Sequence, residues 1–413
     1  MITRREFSRI LLLGAGATAA ACVDRSRYTR QDALRLEQQK EAELAASGKG
    51  PFGPQRYRGY RGLAELPWFE IDKRGRLVLR DPDVPATIDL HAHLGMALLF
   101  ASPFDMFART DRVRHILDCD GTTPGCELDL DVYINANFSP EALRTMRFDV
   151  LQNVLWGSAS ARTHTLANLV DEMDDLRIER AALLPISFGL PFGDNLADQW
   201  LDVLAQAPQK NRFIGGGSVY VGDPDWRTSL EEQASRGARV IKLHPATQRY
   251  FPDDPRAMEI YAACGELGLI VFLHAGRAGI EPSYTHQYTL IPGYEPMLAE
   301  HPGTNFILGH AGARDVEDAM ILGRRYSNAW LGIHGQGVTM LDRLIREVGW
   351  ERLVFGSDWP FYHLAATLAK VLIVTRNDPD IRHAILRGNA LRLLAMGSGD
   401  SLDPDSREAR KPA

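Results

Sequence analysis

Between residues 86 and 358, short apolar runs of strand length recur: TIDLH, AALLPI, RFIGGGSV, RVIKLH, LIVFLH, NFILGH, AWLGIH and RLVFGSD. From the second run onward their centres lie roughly 25 to 35 residues apart, the spacing of repeated strand–helix units. The segments between them carry helical patterns. NLADQWLDVLAQ sets Leu196, Trp200 and Leu204 on one stripe, and VTMLDRLIREV does the same with Val338, Leu341, Leu344, Ile345 and Val348. In FPDDPRAMEIYAAC the acidic residues and Pro255 mark a helix start. Eight such units predict an α/β fold, a (β/α)8 TIM barrel over residues 86–397. The first run stands about 90 residues from the second against a unit of about 30, so a long insertion is expected after strand one, over about residues 100–165.

The flanks read differently. MITRREFSRILLLGAGATAAAC joins an arginine-rich start to an apolar run that ends at Cys22 and is too short to span a bilayer. TRREF resembles a twin-arginine export signal and the small residues before Cys22 resemble a lipoprotein processing site. Residues 1–21 are therefore expected to be a signal peptide and Cys22 the lipidated start of an exported protein, periplasmic or membrane-anchored. GAGATA is not a dinucleotide-binding turn, because no buried strand precedes it and no acidic residue follows at the right distance. Residues 22–85 read either as a stalk or as an arm packed on the barrel, and residues 398–413 as a tail. Inside the insertion, Cys119 and Cys126 flank turn-forming residues. In an exported chain they are expected to form a disulfide, with two free thiols as the alternative, and no second cysteine pair offers a structural zinc site.

Composition narrows the partners. The chain of 413 residues is 45% hydrophobic, enough for a sizeable core, and its formal charge of −6 leaves no basic stripe for nucleic acid. A small-molecule substrate is expected, with membrane contact only through the lipid anchor; self-association is left open. No Gly-x-Ser-x-Gly elbow is present, which disfavours serine hydrolysis. Gly215 to Gly217 are expected to serve close packing at a strand end, since no P-loop lysine follows them.

Of the twelve histidines, six (His91, His93, His244, His274, His310 and His334) fall at the C-terminal ends of expected strands, and Asp358 ends the eighth. In a TIM barrel that is the end where chemistry is done. Alternation puts Asp89, His91 and His93 on one face, and the parity that turns Val240 and Phe272 inward also turns Lys242, His244 and His274 inward. Convergent imidazoles and a carboxylate suit zinc or a related divalent ion with a position open to water. Arg249, Arg277 and His244, just past strand ends, are candidates for holding a substrate carboxylate or phosphate.

IDLHAH at the first strand, IKLHP at the fourth, VFLHAG at the fifth, ILGHAG at the sixth, FGSDWP at the eighth and the closing ILRGNALRLL resemble the amidohydrolase superfamily. The closer likeness is to its amidohydrolase-related branch, which includes aminocarboxymuconate-semialdehyde decarboxylase and pyrone-dicarboxylate lactonase. The resemblance covers about residues 86–396. It implies His91, His93, His274 and Asp358 as metal ligands, His310 as a catalytic histidine, and Asp358 as the group that takes the proton of water and passes it to the leaving group. One divalent ion, zinc first, is expected. Two ions, with Lys242 and His310 as further ligands, would follow if Lys242 were carbamylated; otherwise its buried ammonium needs a carboxylate, for which Asp89 is the candidate. The long insertion, the export signal and His334 depart from the family's pattern. The expected activity is metal-dependent hydrolysis of an amide, lactone or ester; the alternatives are a nonhydrolytic decarboxylase of an unsaturated acid and a noncatalytic anchored binding protein.

Overall fold

The computed structural model describes residues 27–96, 98, 104–120, 126–190 and 193–398. The expected signal peptide, the lipidation site Cys22 and all but residue 398 of the expected tail lie outside the described residues. Each strand-length run forms a strand: β1 Thr87–Ala92, β2 Ile178–Leu183, β3 Phe213–Gly217, β4 Ala238–Leu243, β5 Ile270–Leu273, β6 Phe306–Leu308, β7 Ala329–Gly332 and β8 Leu353–Val354. They pair in parallel in chain order. The sheet then closes on itself. Leu90 N donates to Phe355 O at 3.0 Å, Asp358 N to His91 O at 2.8 Å and His93 N to Trp359 O at 2.6 Å.

The helices between the strands bury the stripes that their sequences marked. Leu196–Gln206 buries Leu196, Trp200 and Leu204, and Val338–Glu347 buries Val338, Leu341 and Leu344. Pro255–Glu266 starts where its charge pattern placed it, with Asp254 accepting from Arg256 N and Pro255 in the first turn. Inside the barrel Ile88, Leu90, Val240, Phe272, Ile307 and Trp330 form one apolar cluster, joined by Leu393 and Leu394 of the helix Asn389–Ser398. Each such side chain contributes about 1.5–3 kcal/mol by leaving water. Above this plug the strand ends are free to carry polar groups. At Gly216 an added Cβ would sit 1.9 Å from Leu183 O, so the glycine run is where strands pack closely.

One expectation about β1 is corrected. Asp89, His91 and His93 do not share a face, because the register against β2 shifts between Asp89 and Ala92. Ile88 and Leu90 lie in the barrel core, yet His91, one residue on, also faces inward, its ring 4.6 Å from that of Phe272. The irregularity reverses the alternation, as a bulge does. Asp89 turns instead to β8, accepting from Ser357 N at 3.0 Å and Ser357 Oγ at 2.5 Å.

The connection from β1 to β2 runs from residue 93 to residue 177 and carries the helices Pro140–Leu155 and Leu166–Asp175 and a short strand, Leu128–Asp129, paired with Arg56–Tyr57. Cys119 and Cys126 are joined in a disulfide there, and Cys264 is a buried free thiol. The N-terminal helix Arg30–Ala46, capped by Thr29, lies on the barrel, held through the Arg277 guanidinium to Asp32 O and Gln39 Oε1, and through Glu43 to Arg314. Trp68 and Phe69 are buried. Among the described residues no helix is long and apolar enough to cross a membrane.

Candidate metal centre and active site

The bulge in β1 and the tight turn after β8 bring three groups to one point. His91 Nε2 and His93 Nε2 are 3.0 Å apart, and Asp358 Oδ1 lies 3.5 Å from the first and 3.3 Å from the second. All three residues are buried. Their protonation follows from their other contacts. His93 Nδ1 sits 2.6 Å from Leu184 O, a pure acceptor, so Nδ1 carries a proton and the neutral ring holds its lone pair at Nε2. His334 Nε2 accepts from the backbone N–H of His310 at 3.2 Å, so the His91 Nδ1 that faces it at 2.8 Å is the donor, and His91 Nε2 is also left with its lone pair. Two imidazole lone pairs and a carboxylate oxygen then face one another, an arrangement that repels itself without a cation. The donor set fits a divalent ion of the zinc type.

Around this point burial holds His91, His310 and His334 well below the usual imidazole range, so they are neutral. Burial also pushes Lys242 down to about 7; its Nζ lies 3.1 Å from His91 Nε2 and 4.5 Å from the centre of the Phe272 ring. Its expected partner Asp89 is engaged by Ser357 and by His91 N at 2.9 Å, and the carboxylate whose charge favours the Lys242 ammonium is Asp358. Asp358 also belongs to a second group of close donor atoms, with His310 and His334.

His274 stands outside both groups among the described residues. Its ring stacks on His244 at 4.2 Å and 8°, its carbonyl accepts from Tyr294 Oη at 2.6 Å, and its Nε2 is buried with no hydrogen-bond partner. An orphaned imidazole nitrogen beside the cluster is what an absent ligand would leave. His244 accepts from Thr247 N through Nδ1 at 3.3 Å, so its neutral form carries the proton on Nε2.

The two arginine candidates part company. Arg249 is exposed at the rim, its guanidinium 5.6 Å from the Tyr284 ring. Arg277 is buried and bound to both oxygens of Asp315, Nε to Oδ2 at 2.8 Å and Nη2 to Oδ1. Burial alone would lower its pKa, but Asp315 outweighs burial and raises it. Its fork is spent on the protein, so the structure gives it the task of pinning the β5 and β6 loops to the N-terminal helix.

The backbone that aims these groups is strained. His310 has φ of 57° and Asp358 of 63°, left-handed values that side-chain-bearing residues rarely adopt and that cluster where structure over-determines a site. The two HAG motifs meet backbone to backbone: at Gly276, with φ of 76°, a Cβ would stand 1.8 Å from Gly312 O. The β8 turn is clamped from outside by Glu172 of the helix Leu166–Asp175. Its carboxylate accepts from Trp359 Nε1 at 3.1 Å, His115 Nε2 at 3.1 Å and Leu364 N at 2.7 Å.

Two site residues escape sequence reasoning. Tyr133, from the long connection, places its hydroxyl 3.1 Å from His310 Nδ1, and burial holds that phenol well above its usual range, so it stays protonated. Nothing in DLDVYINAN marks it, since it lies in a turn without periodicity. Glu172 is the other; its acidic position on an amphipathic helix reads as a solvated face.

The fold is that of other TIM barrels. An uncharacterized TIM-barrel protein, Bb4693, of Bordetella bronchiseptica is 23% identical, with 58% of this chain and 86% of that one covered, at a TM-score of 0.50. Further similar structures are a 2,6-dihydroxybenzoate decarboxylase from Rhizobium (19% identity, 75% and 99% covered, TM-score 0.48) and a "probable 2-pyrone-4,6-dicarboxylic acid hydrolase" from Acinetobacter baumannii (14%, 75% and 100%, 0.47). No curated protein matches the sequence. The family model described as amidohydrolase matches residues 154–396, a span that holds Lys242, His244, His274, His310, His334 and Asp358 and begins after His91 and His93. With more than half of its length matched, and a His/His/Asp cluster at the catalytic end of its barrel, the chain belongs to the metal-dependent amidohydrolase family.

Proposed function

We propose that this protein is a hydrolase that uses one divalent ion, zinc, to cleave an amide, lactone or ester bond of a small molecule. The observation that carries the proposal is the convergence of two unprotonated Nε2 atoms and the Asp358 carboxylate beside the unpartnered His274 Nε2. His91, His93, His274 and Asp358 would hold the ion. When bound, it would polarise a carbonyl and acidify water.

The chain's own groups do the rest. Asp358 takes the proton of the attacking water at a carboxylate oxygen and returns it to the leaving group, a role that needs a carboxylate within hydrogen-bond reach. His310, braced by the Tyr133 hydroxyl, faces the same point and steadies charge on the carbonyl oxygen. His244 offers its Nε2–H to orient the substrate.

Decarboxylation could use the same cluster, but the buried guanidinium best suited to a substrate carboxylate, Arg277, is tied to Asp315. That favours hydrolysis. The zinc-loaded protein, given a panel of lactones, esters, amides and unsaturated carboxylic acids in ¹⁸O-water, should place ¹⁸O in the product. Carbon dioxide release without ¹⁸O incorporation would replace this reading by the decarboxylase. We also propose that the protein is exported and lipidated at Cys22; recovery of the uncleaved N-terminus in the cytoplasm would refute that.

A further inference from the structure

The space above the histidines is shaped by apolar side chains. A cavity of about 350 Å³ opens over His93, His244 and His274. Its walls come from elements far apart in sequence: Met146, Val150 and Val154 of the helix Pro140–Leu155, Phe188 after β2, Trp200 of the following helix, and Phe361 after β8. Apolar side chains make most of the lining, with His93, His244 and His274 among its fewer polar members, the pattern of a pocket in which a few groups orient a ligand and apolar surface binds it.

Among the described residues no buried cation lines the cavity to hold an anionic guest. The charged residues of the described lining are Arg147, Arg249 and Glu281. Arg147 is exposed and donates to Ile280 O at 2.7 Å and Gly279 O at 3.1 Å; Arg249 is exposed over Tyr284. Glu281 is buried, with Oε2 accepting from Ile280 N at 3.1 Å and Oε1 3.7 Å from His286 Nε2, so it too is engaged by the protein. The rim is apolar too: Leu151 is 52% exposed and Tyr284 62%, large side chains left in water where a ligand enters.

We infer that the substrate enters with an uncharged aromatic or aliphatic body, seated between the helix Pro140–Leu155 and Trp200, with its reacting carbonyl at the histidine end. This rests on the hydrolase reading for the reacting bond and on the cavity alone for the body. Each methylene moved from water into such walls strengthens binding about three- to four-fold until the space is filled.

The test separates the two. Binding of 1-alkanols from butanol to decanol to the zinc-loaded protein is followed by calorimetry, and turnover of γ-lactones from butyrolactone to decalactone is measured alongside. The inference expects affinity and kcat/KM to climb with chain length by about that factor before levelling off. Leu151→Asp, at the half-exposed rim, should flatten the climb for the longer members without a change in Tm; Val150→Asp gives a second reading if that rim position tolerates charge. Alkanols that bind with the expected slope while no lactone, ester or amide reacts would sustain the inference and sink the hydrolase. Lactone turnover and alkanol affinity that ignore chain length, or tighter binding of glutarate than of octanol, would overturn the inference and leave the hydrolase standing.

Discussion

At the scale of single residues the account turns on which nitrogen of each histidine is free. His91→Ala and His274→Ala each delete a candidate ligand but little core volume, so both should lose bound zinc and activity while keeping wild-type circular dichroism; full metal occupancy in either would remove that residue from the ligand set. Asp358→Asn keeps the shape and loses the base, so kcat should fall by about 10²–10⁴ while bound zinc falls less. His334→Ala removes the acceptor that holds the His91 Nδ1 proton, and zinc affinity should drop about 10–100-fold, measured by competition with a chelator. The imidazoles and Asp358 were legible in the sequence because each ends a recognisable apolar run. The surroundings of Asp89 and Arg277 are not legible in the sequence for physical reasons: a register shift reverses the face that Asp89 shares, and an ion-pair partner 38 residues away, Asp315, is invisible to local pattern. Tyr133 left no signal because its place depends on how a long connection folds back.

At the scale of elements the strands and the apolar faces of their helices could be read directly, since period and spacing specify them. What could not be read is how the loops are clamped. Glu172 ties the helix Leu166–Asp175 to the β8 turn through Trp359 Nε1, Leu364 N and His115 Nε2. Glu172→Gln keeps the size of the side chain but can accept through one oxygen only, and should cost about 2–4 kcal/mol in denaturant unfolding. An unchanged midpoint would mean that the clamp is idle. The strained turns at His310 and Asp358 depend on such outside support, and so does the direction in which their side chains point.

At the scale of the whole molecule the barrel closes as its eight repeats imply, and a buried imidazole in the long connection between β1 and β2 makes the fold sensitive to acid. His164, 1% exposed, is pushed down to about 4 by burial. Its folded pKa is depressed below the unfolded value near 6.5, so the neutral form's contribution is present above that value and lost as pH falls from about 6.5 to 4. The loss is on the order of 3 kcal/mol, and His164→Gln should show a shallower decline of stability over that range; parallel curves for the two proteins would count against it. Which cation the closed barrel holds, and where, is the central claim. Crystals grown with zinc and measured on both sides of the zinc absorption edge test it most directly. The account predicts one anomalous peak bound by His91 Nε2, His93 Nε2 and Asp358, with His274 Nε2 turned toward it, at ligand distances of about 2.0–2.2 Å. A peak held by His310 and His334 with His91 and His93 unbound would contradict it.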